Sequence, residues 1–353
     1  MDTIHRPVSR GIRVFLLLSL VSFFADFTYE GARSVSGPVL EALGASLLAT
    51  STLSIGEAIS YAARLVSGVV TYRRARPGTY WGLVFLGYTL NLVVVPLIAL
   101  AWDWRIALLL YILERTGKGL RVPPRDAILA EVGASLGLGR LYGIHELLDQ
   151  AGAVSGAIFI GLLARGSVRK PLELLAIPAL AALLLLAIVY VMYPRPRSAE
   201  KPTAPFREAV WRALTLSGIL AASAAVFVHW STASYLLSRS MKANAIALLY
   251  ALAMLSDALA AIPLGMAYDR LGKASLSILP AISFTATLSL FTLNPLVFSV
   301  LWGVAMSGYE TIAKAYIAGS VEPRERSLAF GTAYTIIGIG WTLGNIALAL
   351  IVA

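Results

Sequence analysis

The chain has 353 residues, of which 58% are hydrophobic and only 14% are charged, and its mean hydropathy is +0.77. This composition excludes an ordinary water-soluble globular protein, in which about 25% of residues are charged. The net charge of +10 does not indicate nucleic-acid binding, because the basic residues cluster in alternate loops between apolar runs. There are no cysteines, which excludes disulfides and thiolate metal ligands, and no cofactor is expected.

Apolar runs of about 20 residues recur along the whole chain, and each is long enough to cross the roughly 30 Å hydrocarbon core of a bilayer. We predict an all-α membrane protein with six transmembrane helices before residue 194 and five after residue 206. In chain order, the predicted spans cover residues 14–39, 47–72, 80–101, 106–131, 139–163, 172–193, 209–237, 243–268, 276–293, 296–321 and 328–352.

The segment 194–206 is polar, rich in proline and free of apolar runs, as is typical of a linker. We predict an N-terminal six-helix bundle at 1–193, a cytoplasmic linker at 194–206 and a C-terminal five-helix bundle at 207–353. Most Lys and Arg residues, including Arg121 and Arg125, fall in inner segments if the N-terminus is cytoplasmic, which fits the positive-inside rule. The expected location is the plasma membrane, where the protein is a multi-pass monomer in the lipid bilayer.

An internal repeat relates the two halves, since three groups of residues recur in the same order in both. The matched groups are Gly68 and Arg73 with Gly265 and Arg270, Glu114 and Lys118 with Glu310 and Lys314, and Gly143, Gly152 and Gly156 with Gly331, Gly340 and Gly344. The repeat predicts two pseudo-symmetric bundles. Repeated bundles of this kind are a recurrent transporter design, in which the solute binds between the halves and rocking alternates access to it.

Charged side chains recur inside the predicted spans, where each costs roughly 2.5 to 3.5 kcal/mol near the bilayer centre unless it has a partner or borders a wet cavity. The acids outnumber the bases, and a desolvated acid without a partner is suited to exchanging protons near neutral pH. We therefore predict proton coupling. The candidate residues for proton coupling or the substrate cavity are Asp26, Glu30, Arg33, Glu57, Arg64, Glu114, Arg115, Lys118, His145, Asp149, Asp257, Glu310 and Lys314.

The candidate residues differ in how strongly they indicate a functional role rather than a structural ion pair within the bundle. Glu114 with Lys118, like Glu310 with Lys314, shares a helix face, and structural pairing explains each pair equally well. Asp26 and Glu30 favour function, because Arg33 alone cannot neutralise both. His145 lies beside Glu146 and Asp149, but a hydrogen-bonding histidine is favoured over a metal ligand, so no metal site is assigned.

The chain resembles the major facilitator superfamily over nearly its whole length. The segment Gly265-M-A-Y-Asp269-Arg270-L-Gly272-Lys273 is similar to the loop that, in this family, steadies the outward-facing state. The first-half copy keeps Gly68 and Arg73 but has Tyr72 in place of the aspartate. The resemblance implies that these residues belong to gating loops, and that the fold lacks the family's usual twelfth helix.

Two further motifs resemble this family. Arg115-T-G-Lys118-Gly119 is similar to a fourth-span motif whose arginine is associated with proton movement, and the glycines of the fifth span are similar to an antiporter motif. The sequence F-A-D-F-T-Y-E at 24–30 resembles a subgroup with an acidic first span.

The resemblance and the buried charges together predict secondary active transport of a small molecule or ion by rocker-switch alternating access. We expect coupling to protons, with export by antiport favoured. One alternative is a divalent-metal carrier that uses His145, Glu146 and Asp149, and another is a non-transporting membrane sensor on the same scaffold. The sequence has no nucleotide loop, HExxH or G-x-S-x-G motif, so an enzyme is not expected.

Overall fold

The computed structural model describes residues 5–45, 53–163, 168–230, 233, 237, 243–292 and 294–352, and these residues form helices and turns with no strand among them. A five-residue π-helical segment, Tyr309–Ala313, joins two of the helices. The all-α fold class is confirmed. The helices are α1 (His5–Arg33), α2 (Ser36–Ala42), α3 (Leu53–Arg73), α4 (Pro77–Leu97), α5 (Trp104–Val132), α6 (Leu138–Leu163), α7 (Arg169–Leu174), α8 (Ala176–Met192), α9 (Phe206–Ala225), α10 (Ala243–Leu271), α11 (Ile278–Thr292), α12 (Pro295–Gly308), α13 (Lys314–Ser320) and α14 (Arg326–Val352).

Most predicted spans match one long helix to within several residues, but four do not. The first, 14–39, runs past the end of α1 into α2, and the tenth, 296–321, covers α12, the π-helical segment and α13. The sixth span, 172–193, is divided into α7 and α8 at Leu175. Pro178 has no N–H to donate to the carbonyl of Leu174, which weakens the helix at this point. The seventh span, 209–237, is helical to Ala225, where the chain turns, and much of its remainder lies outside the described residues. The division into six and five membrane crossings stays a prediction.

Five helical segments within the described residues are long and apolar enough to cross a membrane. The remaining long helices include α5, which carries six ionisable side chains between Glu114 and Asp126. Such charges lower the hydropathy of a helix without preventing it from spanning, provided that they face the interior of the bundle. The five apolar segments are Arg10–Arg33, Pro77–Leu100, Arg169–Met192, Leu249–Thr292 and Pro295–Ser320.

Two helix pairs join the half of the chain before the linker, 194–206, to the half after it. Helix α6 packs along α10, and α3 packs along α14, which also contacts α5. Within the first half α1 packs on α6 and α5 packs on both α3 and α4, while within the second half α9 packs on α14 and α10 on α12. The interface between the halves is therefore made mainly by α3, α6, α10 and α14, with further contacts from α5, the π-helical segment and α13.

The two sets of repeated glycines make equivalent contacts. Gly152 and Gly156 of α6 lie against the backbone of α1, and Gly340 and Gly344 of α14 lie against the backbone of α9, too close in each case for a Cβ atom. Gly143 instead faces α10 across the interface. The equivalent residue Gly331 faces α3 in the same way, against the backbone of Arg64 and Gly68. Small residues permit this close approach of membrane helices, and the repeated contacts fit the pseudo-symmetry predicted from the sequence.

The linker is tied to both halves by hydrogen bonds. Glu131, at the end of α5, accepts bonds from the backbone N–H groups of Arg197 and Ser198 at 2.8 and 2.9 Å and from the hydroxyl of Tyr193. On the other side, the Thr203 hydroxyl donates to Glu322 at 3.1 Å. These bonds fix the linker at one end of the bundle, which we call the linker end.

Candidate functional site

Helices α1 and α5 bring seven ionisable side chains together, which we call the first-half cluster. Glu30 Oε1 lies 2.8 Å from Arg33 Nη1 and 4.0 Å from Lys118 Nζ. Asp26 Oδ1 lies 3.9 Å from Nη2 of Arg121, a residue that was not among the predicted site residues. Each acid of the first span therefore has a cation of its own, and the premise that Arg33 alone must serve both was wrong. The cluster comprises Asp26, Glu30, Arg33, Glu114, Arg115, Lys118 and Arg121.

Glu114 does not pair with Lys118 as its spacing predicts. Its carboxylate accepts hydrogen bonds from Arg115 Nε at 2.7 Å and from Asn91 Nδ2 of α4 at 2.6 Å. The buried amide of Asn91 draws Glu114 towards α4 and leaves Lys118 facing Glu30. The spacing of a pair along one helix does not reveal a partner on a neighbouring helix.

Two tyrosines line the first-half cluster. The ring of Tyr29 has the charged ends of Lys118, Arg115 and Arg121 at 4.6, 5.4 and 5.9 Å from its centroid. The Arg121 guanidinium also lies 4.2 Å from the centre of the Tyr88 ring. Cations within about 6 Å of an aromatic face are stabilised by the ring electrons, so both tyrosines contribute to holding these buried charges.

Arg121 and Arg125, which the positive-inside count assigned to inner segments, are buried in α5. Helix α5 continues through the pair Pro123–Pro124, in line with the predicted span 106–131. Pro124 has no N–H for the carbonyl of Leu120, which instead accepts a bond from the Ser67 hydroxyl at 2.7 Å. Side chains of neighbouring helices can therefore stabilise the helix where its own backbone cannot.

Arg125 forms a close ion pair with its neighbour Asp126, at 2.7 Å. Asp126 also accepts a 2.7 Å hydrogen bond from the Tyr334 hydroxyl of α14. With these residues included, eight acids and seven bases lie at the centre of the described helices, so the predicted surplus of acids was too large. They are Asp26, Glu30, Glu114, Asp126, Glu146, Asp149, Asp257 and Glu310 with Arg33, Arg64, Arg115, Lys118, Arg121, Arg125 and Lys314.

A second group, which we call the inter-half cluster, comprises Glu146, Gln150, Asp257, Glu310 and Lys314. Gln150 Nε2 donates to Glu146 on its own helix at 2.8 Å and to Asp257 of α10 at 3.2 Å. Lys314 forms an ion pair with Glu310, as predicted, and a second contact with Glu146 at 3.5 Å. The cluster therefore joins α6 of the first half to α10 and α13 of the second, and it contains three acids and one base.

Glu310 lies in the π-helical segment Tyr309–Ala313, directly before Lys314. Single π turns within α-helices occur mostly at functional sites, because the extra residue changes the direction of the side chains around it. No sequence pattern predicted this feature, since it depends on the packing around the turn.

His145 is fully buried and hydrogen-bonds with its ring Nδ1 to the hydroxyl of Ser19 at 3.2 Å. Its Nε2 lies 3.6 Å from Asp149 Oδ2. Among the described residues, no three His, Asp or Glu side chains converge in a way that could hold a metal ion. Arg64 lies over the rings of Tyr61 and Tyr334 at 5.5 and 4.8 Å. The side chain of Glu57, its predicted neighbour, lies outside the described part of the structure.

The predicted gating loop of the second half holds the two halves together at the linker end. Asp269 accepts hydrogen bonds from the backbone N–H groups of Gly139 and Arg140 at 2.8 and 2.9 Å, which caps the start of α6. Gly265 lies directly against the backbone of Gly139. Arg270 is exposed, and the side chain of Arg140 lies 3.6 Å from Asp269.

The first-half copy of this loop makes different contacts. Gly68 lies against Ser327 and Gly331 of α14, which parallels the approach of Gly265 to α6. Tyr72 donates its hydroxyl proton to the carbonyl of Ala204 in the linker at 2.5 Å, and Arg73 lies 4.8 Å from the centre of the Phe206 ring. The tyrosine that replaces the aspartate therefore binds the linker.

Comparison with known proteins fits this architecture. Residues 215–353 match the family model of the Major Facilitator Superfamily. An uncharacterized protein of Mycobacterium tuberculosis is 35% identical over 343 residues, covering 92% of this chain and 83% of that protein. An uncharacterized MFS-type transporter of Methanocaldococcus jannaschii is 24% identical over 95% of this chain and 86% of that protein.

Similarity to a solved structure extends over the whole fold. The crystal structure of FucP, a Major Facilitator Superfamily transporter in the outward conformation, superposes with a TM-score of 0.66 at 14% identity, covering 97% of this chain and 92% of that one. The similarity to this structure and the family-model match to residues 215–353 show that the chain has the fold of Major Facilitator Superfamily transporters.

Proposed function

We propose that this protein is a proton-coupled secondary carrier of a small solute, and that the inter-half cluster is its proton site. The observation that carries the proposal is that Asp257 and Glu146, from opposite halves, share one donor, Gln150 Nε2. A rocking motion of the halves would separate these two carboxylates, so their protonation and the motion are coupled.

The charge balance of the cluster supports proton exchange. Asp257 and Glu146 are 0% and 2% exposed, and among the described residues the buried base Lys314 forms ion pairs with Glu146 and Glu310 but not with Asp257. A buried carboxylate without a matching cation is stabilised by binding a proton. The further charged groups near the cluster are Asp149 of α6, Arg125 and Asp126 of α5, Arg64 of α3 and Lys118 of α5.

We place the linker end at the cytoplasmic side, in accordance with the positive-inside rule. The contacts of Gly265 with Gly139 and of Gly68 with α14 then form a closed inner gate. We favour export in exchange for protons, because the glycines of α6 resemble the family's antiporter motif.

Proteoliposomes that contain a trapped pH-sensitive dye would test the proposal. Under an imposed pH gradient, the wild-type protein should couple proton movement to solute added from a panel of metabolites, and Asp257→Asn should abolish the coupling. Glu173→Gln, a change to an acid exposed outside the cluster, is the control and should leave coupling intact. Solute flux that is independent of pH in the wild type would overturn the proposal.

A further inference from the structure

The first-half cluster has one more base than acid, with Arg33, Arg115, Lys118 and Arg121 set against Asp26, Glu30 and Glu114. Within the cluster as defined the bases therefore outnumber the acids by one, and Asp149 of α6 is a further acid within electrostatic range of Asp26. An unmatched cation inside a membrane protein needs either an anion or water to stabilise it.

Arg121 is the base whose donors are least satisfied. Its side chain is 1% exposed, and neither Nε nor Nη1 has a hydrogen-bond partner among the described residues. Its contact with Asp26 is 3.9 Å long, which exceeds the length of a hydrogen bond. A guanidinium presents five N–H donors, so most of the donors of this buried group are without an acceptor in the protein.

Two other arginines of α5 form close ion pairs, which can be compared with the contact of Arg121. Arg115 meets Glu114 at 2.7 Å, and Arg125 meets Asp126 at 2.7 Å. These pairs lie within hydrogen-bonding distance, whereas the contact of Arg121 with Asp26 does not. Arg121 lies instead against the Tyr88 ring, at 4.2 Å, a contact that stabilises its charge but provides no hydrogen-bond acceptor for Nε or Nη1.

The exposed fraction of the side chains in the cluster decreases from Arg33 to Arg121. The side chain of Arg33 is 37% exposed, that of Lys118 is 23% exposed, and those of Asp26 and Arg121 are 9% and 1% exposed. Arg33, the last residue of α1, is therefore the most exposed of these four side chains, and Arg121 is the most buried. A solute that enters at Arg33 would meet Lys118 before it reaches Arg121.

We propose that the transported solute is a small organic anion with a carboxylate group, which Arg121 binds at the buried end of the first-half cluster. Guanidinium donors match a planar carboxylate in geometry and charge. The rings of Tyr29 and Tyr88 beside Arg121 offer apolar surface, which favours an organic anion over an inorganic one. This inference rests on the proposed function and specifies its substrate class.

The test is a thermal-stabilisation screen of the purified full-length protein with lactate, benzoate and citrate, each compared with its neutral amide, and benzoate also with benzylamine. At least one carboxylate should stabilise the protein more than its amide does. Arg121→Gln should weaken that binding roughly 10- to 100-fold. Arg121→Lys, which keeps the charge, should weaken it less, and Arg105→Gln, at an exposed arginine of the same helix, should leave it unchanged.

Stabilisation by amides or benzylamine alone, no stabilisation by any carboxylate at millimolar concentration, or carboxylate binding that survives Arg121→Gln would overturn the inference. The proposal of a carboxylate substrate and the proposal of a proton-coupled carrier are refuted by different results. Proton-driven flux of amines would refute the anion while leaving the carrier proposal in place. Carboxylate binding through Arg121 without any proton-coupled flux would support the anion site and refute the carrier.

Discussion

The two charged clusters differ both in their charge balance and in their position relative to the interface. The first-half cluster has a surplus base and lies between α1 and α5 of one half, whereas the inter-half cluster has surplus acids and lies between α6, α10 and α13. A site within one half can keep its geometry while the halves move. The same motion separates the residues of a site that lies between the halves.

This difference suggests that the two clusters have different roles in transport. We propose that the first-half cluster recognises the solute and that the inter-half cluster senses the position of the halves through its protons. The clusters are close enough to influence each other, since Glu310 lies within electrostatic range of Lys118.

A disulfide across the interface should stop transport completely. The hydroxyl oxygens of Thr71 and Ser327 lie 2.7 Å apart on α3 and α14, and the chain has no native cysteine. We expect the double variant Thr71→Cys with Ser327→Cys to lose solute flux on oxidation and to regain it on reduction, as measured in proteoliposomes. The two single variants are the controls, and flux that persists in the fully cross-linked protein would contradict the proposed motion.

Removal of the base from the inter-half cluster should destabilise the protein strongly and in a pH-dependent way. Lys314→Met leaves the buried acid Glu146 and the partly exposed Glu310 without their cation, a change that costs about 3–5 kcal/mol when the ion pair is buried. The cost should fall as the pH falls, because protonation neutralises the acids. The midpoint of thermal unfolding should therefore drop most at high pH, and an equal drop at all pH values would argue against proton binding here.

Loss of the cap across the inner gate should have a smaller effect. Asp269→Asn keeps a side chain that can accept a bond but removes the charge at the start of α6, which should weaken the closed gate by about 1 kcal/mol. The reactivity of a cysteine at Leu138, the half-buried first residue of α6, towards a water-soluble maleimide should increase. Arg270→Gln is the control, because Arg270 is exposed, and an equal increase in both variants would refute the role of the cap.

The smallest change concerns the bond that stabilises α5 beside its prolines. Ser67→Ala removes the donor to the carbonyl of Leu120 and should lower stability by about 1 kcal/mol, as measured by denaturant titration in detergent. Ser60→Ala on the same helix is a matched control, because the buried hydroxyl of Ser60 has no partner among the described residues. Equal effects of the two variants would show that α5 does not need this bond.

The sequence predicted the features that depend on local pattern. Apolar runs predicted the helices, and the repeated glycines predicted contacts that the structure shows in both halves. The spacing of Glu310 and Lys314 predicted a pair that forms. In each case, the relevant residues lie on one helix or in one repeated segment, so their spacing determines their relation.

The sequence did not predict contacts between helices that are distant in the chain. Arg121 was counted with the basic residues of the inner segments, because its contacts with Asp26 and with the Tyr88 ring come from other helices. Glu114 was assigned the wrong partner, because Asn91 is 23 residues away. The stripe formed by Glu114, Lys118, Arg121 and Arg125 on α5 was the one signal that could have placed Arg121 inside the bundle.

The division of work between the clusters is tested most directly by comparing Arg121→Gln with Asp257→Asn in one proteoliposome assay of the best-bound carboxylate. Without a pH gradient, exchange of this carboxylate across the membrane should persist in Asp257→Asn and be lost in Arg121→Gln. With a gradient, the wild-type protein should accumulate the carboxylate and Asp257→Asn should not. If both variants lose exchange to the same extent, or if Asp257→Asn still accumulates the carboxylate, the proposed separation of solute and proton sites is wrong.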